Sequence, residues 1–84
     1  MDELFAVDRD KMVISGLVVW NRQASVLFFE DETATEVFIP KSVIADWWFV
    51  HNKDKNGLRL EDLAKNDEIS LVVPKWLARK EGLL

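Results

Sequence analysis

Chemistry in a small protein needs a nucleophile, a paired acid and base, or a metal-ligand set. The 84-residue sequence holds one histidine, His51, and no cysteine. Disulfides and thiolate metal sites are therefore excluded, and so is a multi-histidine centre. His51 lies between Val50 and Asn52, where a lone imidazole could serve as a general base. No nucleophile motif, glycine-rich phosphate loop or histidine–carboxylate cluster accompanies it. Ser15, Ser25, Ser42 and Ser70 fall in strand-like runs or near a helix start, with no base partner legible in the sequence. The chain is read as non-catalytic, with no cofactor and no metal.

Binding chemistry is better represented. Four tryptophans, Trp20, Trp47, Trp48 and Trp76, join five phenylalanines. Trp47 and Trp48 are adjacent, and adjacent side chains on a strand point to opposite faces. One of them is expected outside, as an anchor for a partner's pocket or a platform for a base. The plain reading of so many rings is that a small domain needs bulk to build a core. Glu30, Asp31, Glu32 and Glu36 crowd into seven residues. They could attract a basic partner surface or mimic phosphates. A solvated hairpin tip that keeps the domain soluble is the plainer explanation, and the spacing is not that of an EF-hand. Lys53, Lys55, Arg59, Lys65, Lys75, Arg79 and Lys80 supply a basic set beside Trp47 and Trp76, the ingredients of a single-strand groove. Asp54, Glu61, Asp62, Asp67 and Glu68 are interspersed among them, as on an ordinary solvated surface.

Charge weighs against a duplex binder. Residues 1–46 carry nine acids and four bases, residues 47–84 six acids and seven bases, so −5 and +1 sum to −4. The pI is about 4.9, where phosphate binders are usually basic. No apolar run nears the roughly 20 residues of a membrane span. The start, Met1-Asp2-Glu3-Leu4, is acidic where a signal peptide is basic. A cytoplasmic location is expected, with no membrane partner.

The elements that must carry these groups are mostly strands. With 49% hydrophobic residues, a single domain over 12–84 with a polar lead-in over 1–11 is expected. Phe5 and Val7 could pin that lead-in to the core. Met12–Trp20 (MVISGLVVW) is β-branched and apolar on both alternate sets, Met12, Ile14, Val18 and Trp20 on one and Val13, Leu17 and Val19 on the other. Such a strand is central or bends through a barrel wall, and Gly16 fits a bulge or sharp coil there. Ala24–Glu30 completes a hairpin, and Glu36–Ile39 a three-stranded meander ended by Pro40. A helical turn over residues 40–46, a β run over residues 47–51, an Asn56-Gly57 turn, a strand over Glu68–Val73 with one dry and one mostly wet face, and a helix over Lys75–Glu81 follow. Gly82 sits where a left-handed cap belongs, with Leu83 packing back. The fold class is mainly β (α+β): an SH3-like or OB-like small barrel of four or five strands, with a short helical insert and a C-terminal helix.

Two motifs carry a resemblance. Phe38, Ile39, Pro40, Lys41, Ser42 and Ile44, then Val73, Pro74, Trp76, Leu77, Ala78, Lys80, Gly82 and Leu83, form the patterns Ile-Pro-Lys-Ser-x-Ile and Val-Pro-x-Trp-Leu-Ala-x-Lys-x-Gly-Leu. Together they resemble a class of very small proteins of bacteriophages and mobile elements. The resemblance implies a phage-type origin, and hence a host-cell cytoplasm, without implying an activity. The expectation is an accessory protein that binds and modulates a host or defence protein through Trp47, Trp48, Glu30, Asp31 and Glu32. The other reading is a single-stranded nucleic-acid binder in phage replication or recombination, working through Trp47, Trp76, Lys75, Arg79 and Lys80. A free sheet edge or apolar face would also make a homodimer easy.

Overall fold

The computed structural model describes residues 9–51 and 57–84. Phe5, Val7, Lys53, Lys55 and the Asn56 half of the turn lie outside the described residues. Among the described residues, five strands form one antiparallel sheet in the order β3-β2-β1-β5-β4. They are β1 (Lys11–Asn21), β2 (Ser25–Glu30), β3 (Thr35–Pro40), β4 (Asp46–Phe49) and β5 (Glu68–Pro74). Among the described residues there is one α-helix, α1 (Lys75–Lys80), after β5. The sheet is open in its hydrogen bonding, with β3 and β4 as its edges.

The long strand β1 organises this sheet. Its first part, Lys11–Leu17, pairs with β5, and its second, from Gly16 on, pairs with β2. A strand shared in this way must coil sharply where its partner changes. Gly16 sits at that point: a Cβ there would stand 1.8 Å from the Phe29 carbonyl oxygen. Any side chain would push β2 off β1. Gly16 thus serves the coil, while the bulge lies further on, between Val18 and Trp20.

That bulge corrects the expected faces of β1. Simple alternation puts Trp20 with Ile14 and Val18 inside. The extra residue, Val19, reverses the parity, so Val18 is wholly buried while Trp20 is 55% exposed and pairs with Leu27.

The core is the inner face of the sheet. Ile14, Val18, Val26, Phe28, Val37, Ile39, Trp47, Ile69, Leu71 and Val73 line it, and Leu63, Leu77, Ala78 and Leu83 cover it. Burying each such large side chain stabilises the fold by roughly 1.5–3 kcal/mol. Strand β5 differs from its expected wet face, because Ser70 and Val72 are both buried. Central between β1 and β4, their short side chains are shadowed by Leu17, Val13 and Trp48 on the neighbouring strands.

Proline ends two strands and begins two helical turns. Pro40 leads into a 3₁₀ turn at Lys41–Val43, and Pro74 leads into α1. Both prolines are extended and stand at the cap, one position before the first helical residue. At the other end of α1, the Gly82 N–H donates to Arg79 O at 3.2 Å and the Leu83 N–H to Ala78 O at 2.7 Å. With Gly82 at φ +80° and Leu83 buried, this is a Schellman ending.

Candidate interaction surfaces

The outer face of the β1–β2–β3 meander carries an aromatic row. Trp20 pairs with Leu27, and Leu27 pairs with Phe38, so the three stand side by side across three strands. Trp20 is 55% exposed and Phe38 45%. The two rings sit on strands two apart, about 10 Å. Arg22 bridges them, its guanidinium carbon 4.9 Å from the Trp20 ring centre and 5.6 Å from that of Phe38. The row continues through half-buried Leu17 and Phe29 toward Trp48 and Val13.

The local chain makes this row rigid. Arg22 belongs to the tight turn whose backbone N–H donates to Ser25 O at 2.9 Å. Asn21 points to the other face, where its Nδ2 donates to Leu60 O and Leu63 O, both at 2.9 Å. Trp20 therefore stands on backbone held from both sides. Of the charges on this face, Arg22 lies over the rings and Glu36 pairs with Phe29 beside the row. Glu68, opposite Leu17, meets His51, and Asp46, opposite Val72, stands further along the sheet.

The residues singled out from the sequence are scattered. Trp47 is a core side chain, packed edge-to-face on Phe49 at 5.3 Å between centroids. It is not available to a partner, which removes it from both expected sites. Trp48 is half-buried on the outer face beside Ser70. Glu30 is 3% exposed and turned into the β2–β3 turn rather than toward solvent. Its Oε1 accepts from the Thr33 hydroxyl at 2.6 Å and amide at 2.9 Å, and its Oε2 from the Glu32 amide at 3.0 Å. Burial alone would raise its pKa, but these hydrogen bonds favour the carboxylate and outweigh it, so the pKa is lowered. Asp31 and Glu32 remain exposed at the turn, on the opposite side of the strand order from Trp48. With Trp47 and Glu30 buried, the five residues are not presented together as one surface. Trp76, Arg79 and Lys80 are all exposed on α1, with Lys75 half-buried at its start.

The polar groups pair among themselves. His51 Nε2 meets Glu68 Oε1 at 2.7 Å, and the hydroxyls of Ser15 and Ser70 meet at 2.7 Å. Neither of these serines is hydrogen-bonded to the imidazole. Among the described residues, no group of three or more His, Asp or Glu could hold a metal ion, and no helix is long and apolar enough to cross a membrane.

Sequence reasoning missed Trp20 and Phe38. The signal for Phe38 was present, since it alternates with Val37 and Ile39. Trp20 was hidden by the bulge, which no residue type in the sequence announces. Comparison with protein-family models, with curated proteins and with solved structures finds no match for this chain.

Proposed function

We propose that the protein is a non-catalytic binding module that docks on another protein through the Trp20–Leu27–Phe38 row. The observation that carries this is two large rings, each about half exposed, presented side by side on an ordered sheet. Leaving that much apolar surface in water is costly unless a partner covers it. Trp and Arg are also the side chains that dominate binding energy at interfaces. Glu36 beside the row favours a protein with a basic rim over a nucleic-acid backbone. The resemblance to small phage proteins adds the biological setting, an accessory factor that modulates a host or defence protein. The shared, sharply coiled β1 supports reading the sheet as a small barrel of the SH3-like or OB-like kind.

The test compares wild type with the double variant Trp20→Ala/Phe38→Ala. Each would be used to capture proteins from host lysate, and the captured protein would then be purified and titrated. The expected result is at least a 30-fold loss of affinity in the double variant, the scale of a hot spot of about 2 kcal/mol. Equal affinity in a variant with unchanged far-UV circular dichroism would sink the assignment of this face.

A further inference from the structure

A second surface lies on α1 and has the opposite character. The helix buries Leu77 and Ala78. At 100° per residue, the remaining positions, Lys75, Trp76, Arg79 and Lys80, all fall on the other side of the helix. Trp76 has Arg79 and Lys80 at the i+3 and i+4 spacings that place side chains next to each other. The outward side of α1 is thus one tryptophan ringed by three cations, on a molecule whose net charge is −4. Among the described residues, Glu81 stands at the helix cap, off that side, and Asp10 is paired with Lys11 at 3.8 Å.

Two observations separate this cluster from an ordinary solvated face. Trp76 is 56% exposed, as much as Trp20, although its neighbours Leu77 and Ala78 are buried. The second is what the rings are doing. Arg22 covers Trp20 and Phe38, whereas among the described residues no cation lies over the Trp76 ring and neither Arg79 nor Lys80 is in an ion pair. Among the described residues, therefore, nothing occupies the ring face or the two charges.

We propose that Trp76, Arg79 and Lys80, with Lys75, form a binding site for single-stranded nucleic acid. One base stacks on the indole, and the phosphates flanking it pair with Arg79 and Lys80. The chemistry favours this occupant because stacking and phosphate pairing need a free aromatic face and cations within one nucleotide's reach. Apart from Trp76, the apolar residues of the helix, Leu77 and Ala78, are buried in the core and leave no apolar face to lie in a membrane interface. The site is independent of the aromatic row on the sheet.

The probe is a fluorescently labelled oligothymidylate, read by anisotropy at about 50 mM and about 200 mM salt. Two or three phosphate contacts predict roughly a tenfold loss of affinity over that range. Trp76→Ala is expected to weaken binding by about tenfold, within the range for one stacked base. Arg79→Glu/Lys80→Glu is expected to abolish it, whereas Trp20→Ala/Phe38→Ala leaves it unchanged. All three variants are exposed-site changes, and far-UV circular dichroism with urea denaturation verifies their folds. Absence of binding by wild type at low salt overturns the site. So does binding lost in Trp20→Ala/Phe38→Ala but kept in the α1 variants. Phosphatidylserine vesicles serve as the competing anion. Vesicle binding without oligonucleotide binding would also overturn the nucleic-acid assignment.

Discussion

At the scale of single residues, the same side-chain type does opposite work in different places. Trp47 fills the core and Trp20 stands in solvent. Trp47→Ala is expected to cost about 3–5 kcal/mol, the range for a truncated buried ring, and to leave little folded protein. Trp20→Ala should cost under about 1 kcal/mol, the worth of a cross-strand pair and an exposed cation–π contact. Urea denaturation of both variants measures the difference, and equal losses would contradict the bulge that turns Trp20 outward. Glu30 makes the second residue-scale prediction. Its pKa is lowered in the folded state, so its contribution is full above the unfolded value of about 4.3. That contribution drains away as pH falls through the lower folded value. Glu30→Gln keeps one acceptor but brings an amide donor toward N–H groups that already donate. A loss of about 1–3 kcal/mol at neutral pH is expected, with a smaller fall in stability on acidification than in wild type. Denaturant midpoints at pH 7 and pH 3.5 for the two proteins decide it, and parallel pH dependences would refute the buried carboxylate's role.

At the scale of elements, two glycines test how strands and helix are ended and bent. Gly82 has φ +80° with open space where a Cβ would go. Gly82→Ala therefore carries only the backbone cost of a left-handed residue, about 1 kcal/mol. Gly16 is the reverse case, since its Cβ would overlap a backbone carbonyl rather than a flexible side chain. Gly16→Ala must separate β1 from β2 and is expected to cost about 3 kcal/mol or more. Thermal unfolding of the pair gives the ranking, and a milder Gly16→Ala would mean that β1 is not pinned at its coil. Most of the elements were legible beforehand. β-branched runs, the tight Asn21–Ser25 connection, Pro40, Pro74 and Gly82 carry local conformational preferences, and each marks its element's start or end. The faces of β1 and the dryness of β5 were not legible. One depends on a bulge in strand pairing, the other on which strands flank Ser70 and Val72.

At the scale of the whole molecule, the last ten residues complete the core. Leu77, Ala78 and Leu83, together with Leu63, cover the inner face of the sheet. Deleting residues 75–84 is expected to remove cooperative unfolding and leave a state that binds an apolar dye. A truncated chain with a sharp, wild-type-like thermal transition would show that the sheet needs no lid. The charge of −4, the single histidine and the absence of cysteine are what made binding the expectation from sequence. Trp76, Arg79 and Lys80 could be grouped in advance because helical spacing is a local property. The sequence by itself thus determined the strand-rich class, the proline-led turns and the capped helix, all of which follow from preferences within a few residues. Only the tertiary structure decided that Trp47 and Glu30 face inward while Trp20 and Phe38 face out. Those orientations depend on strand register, a bulge and the packing of distant segments, and none of these is encoded at one position.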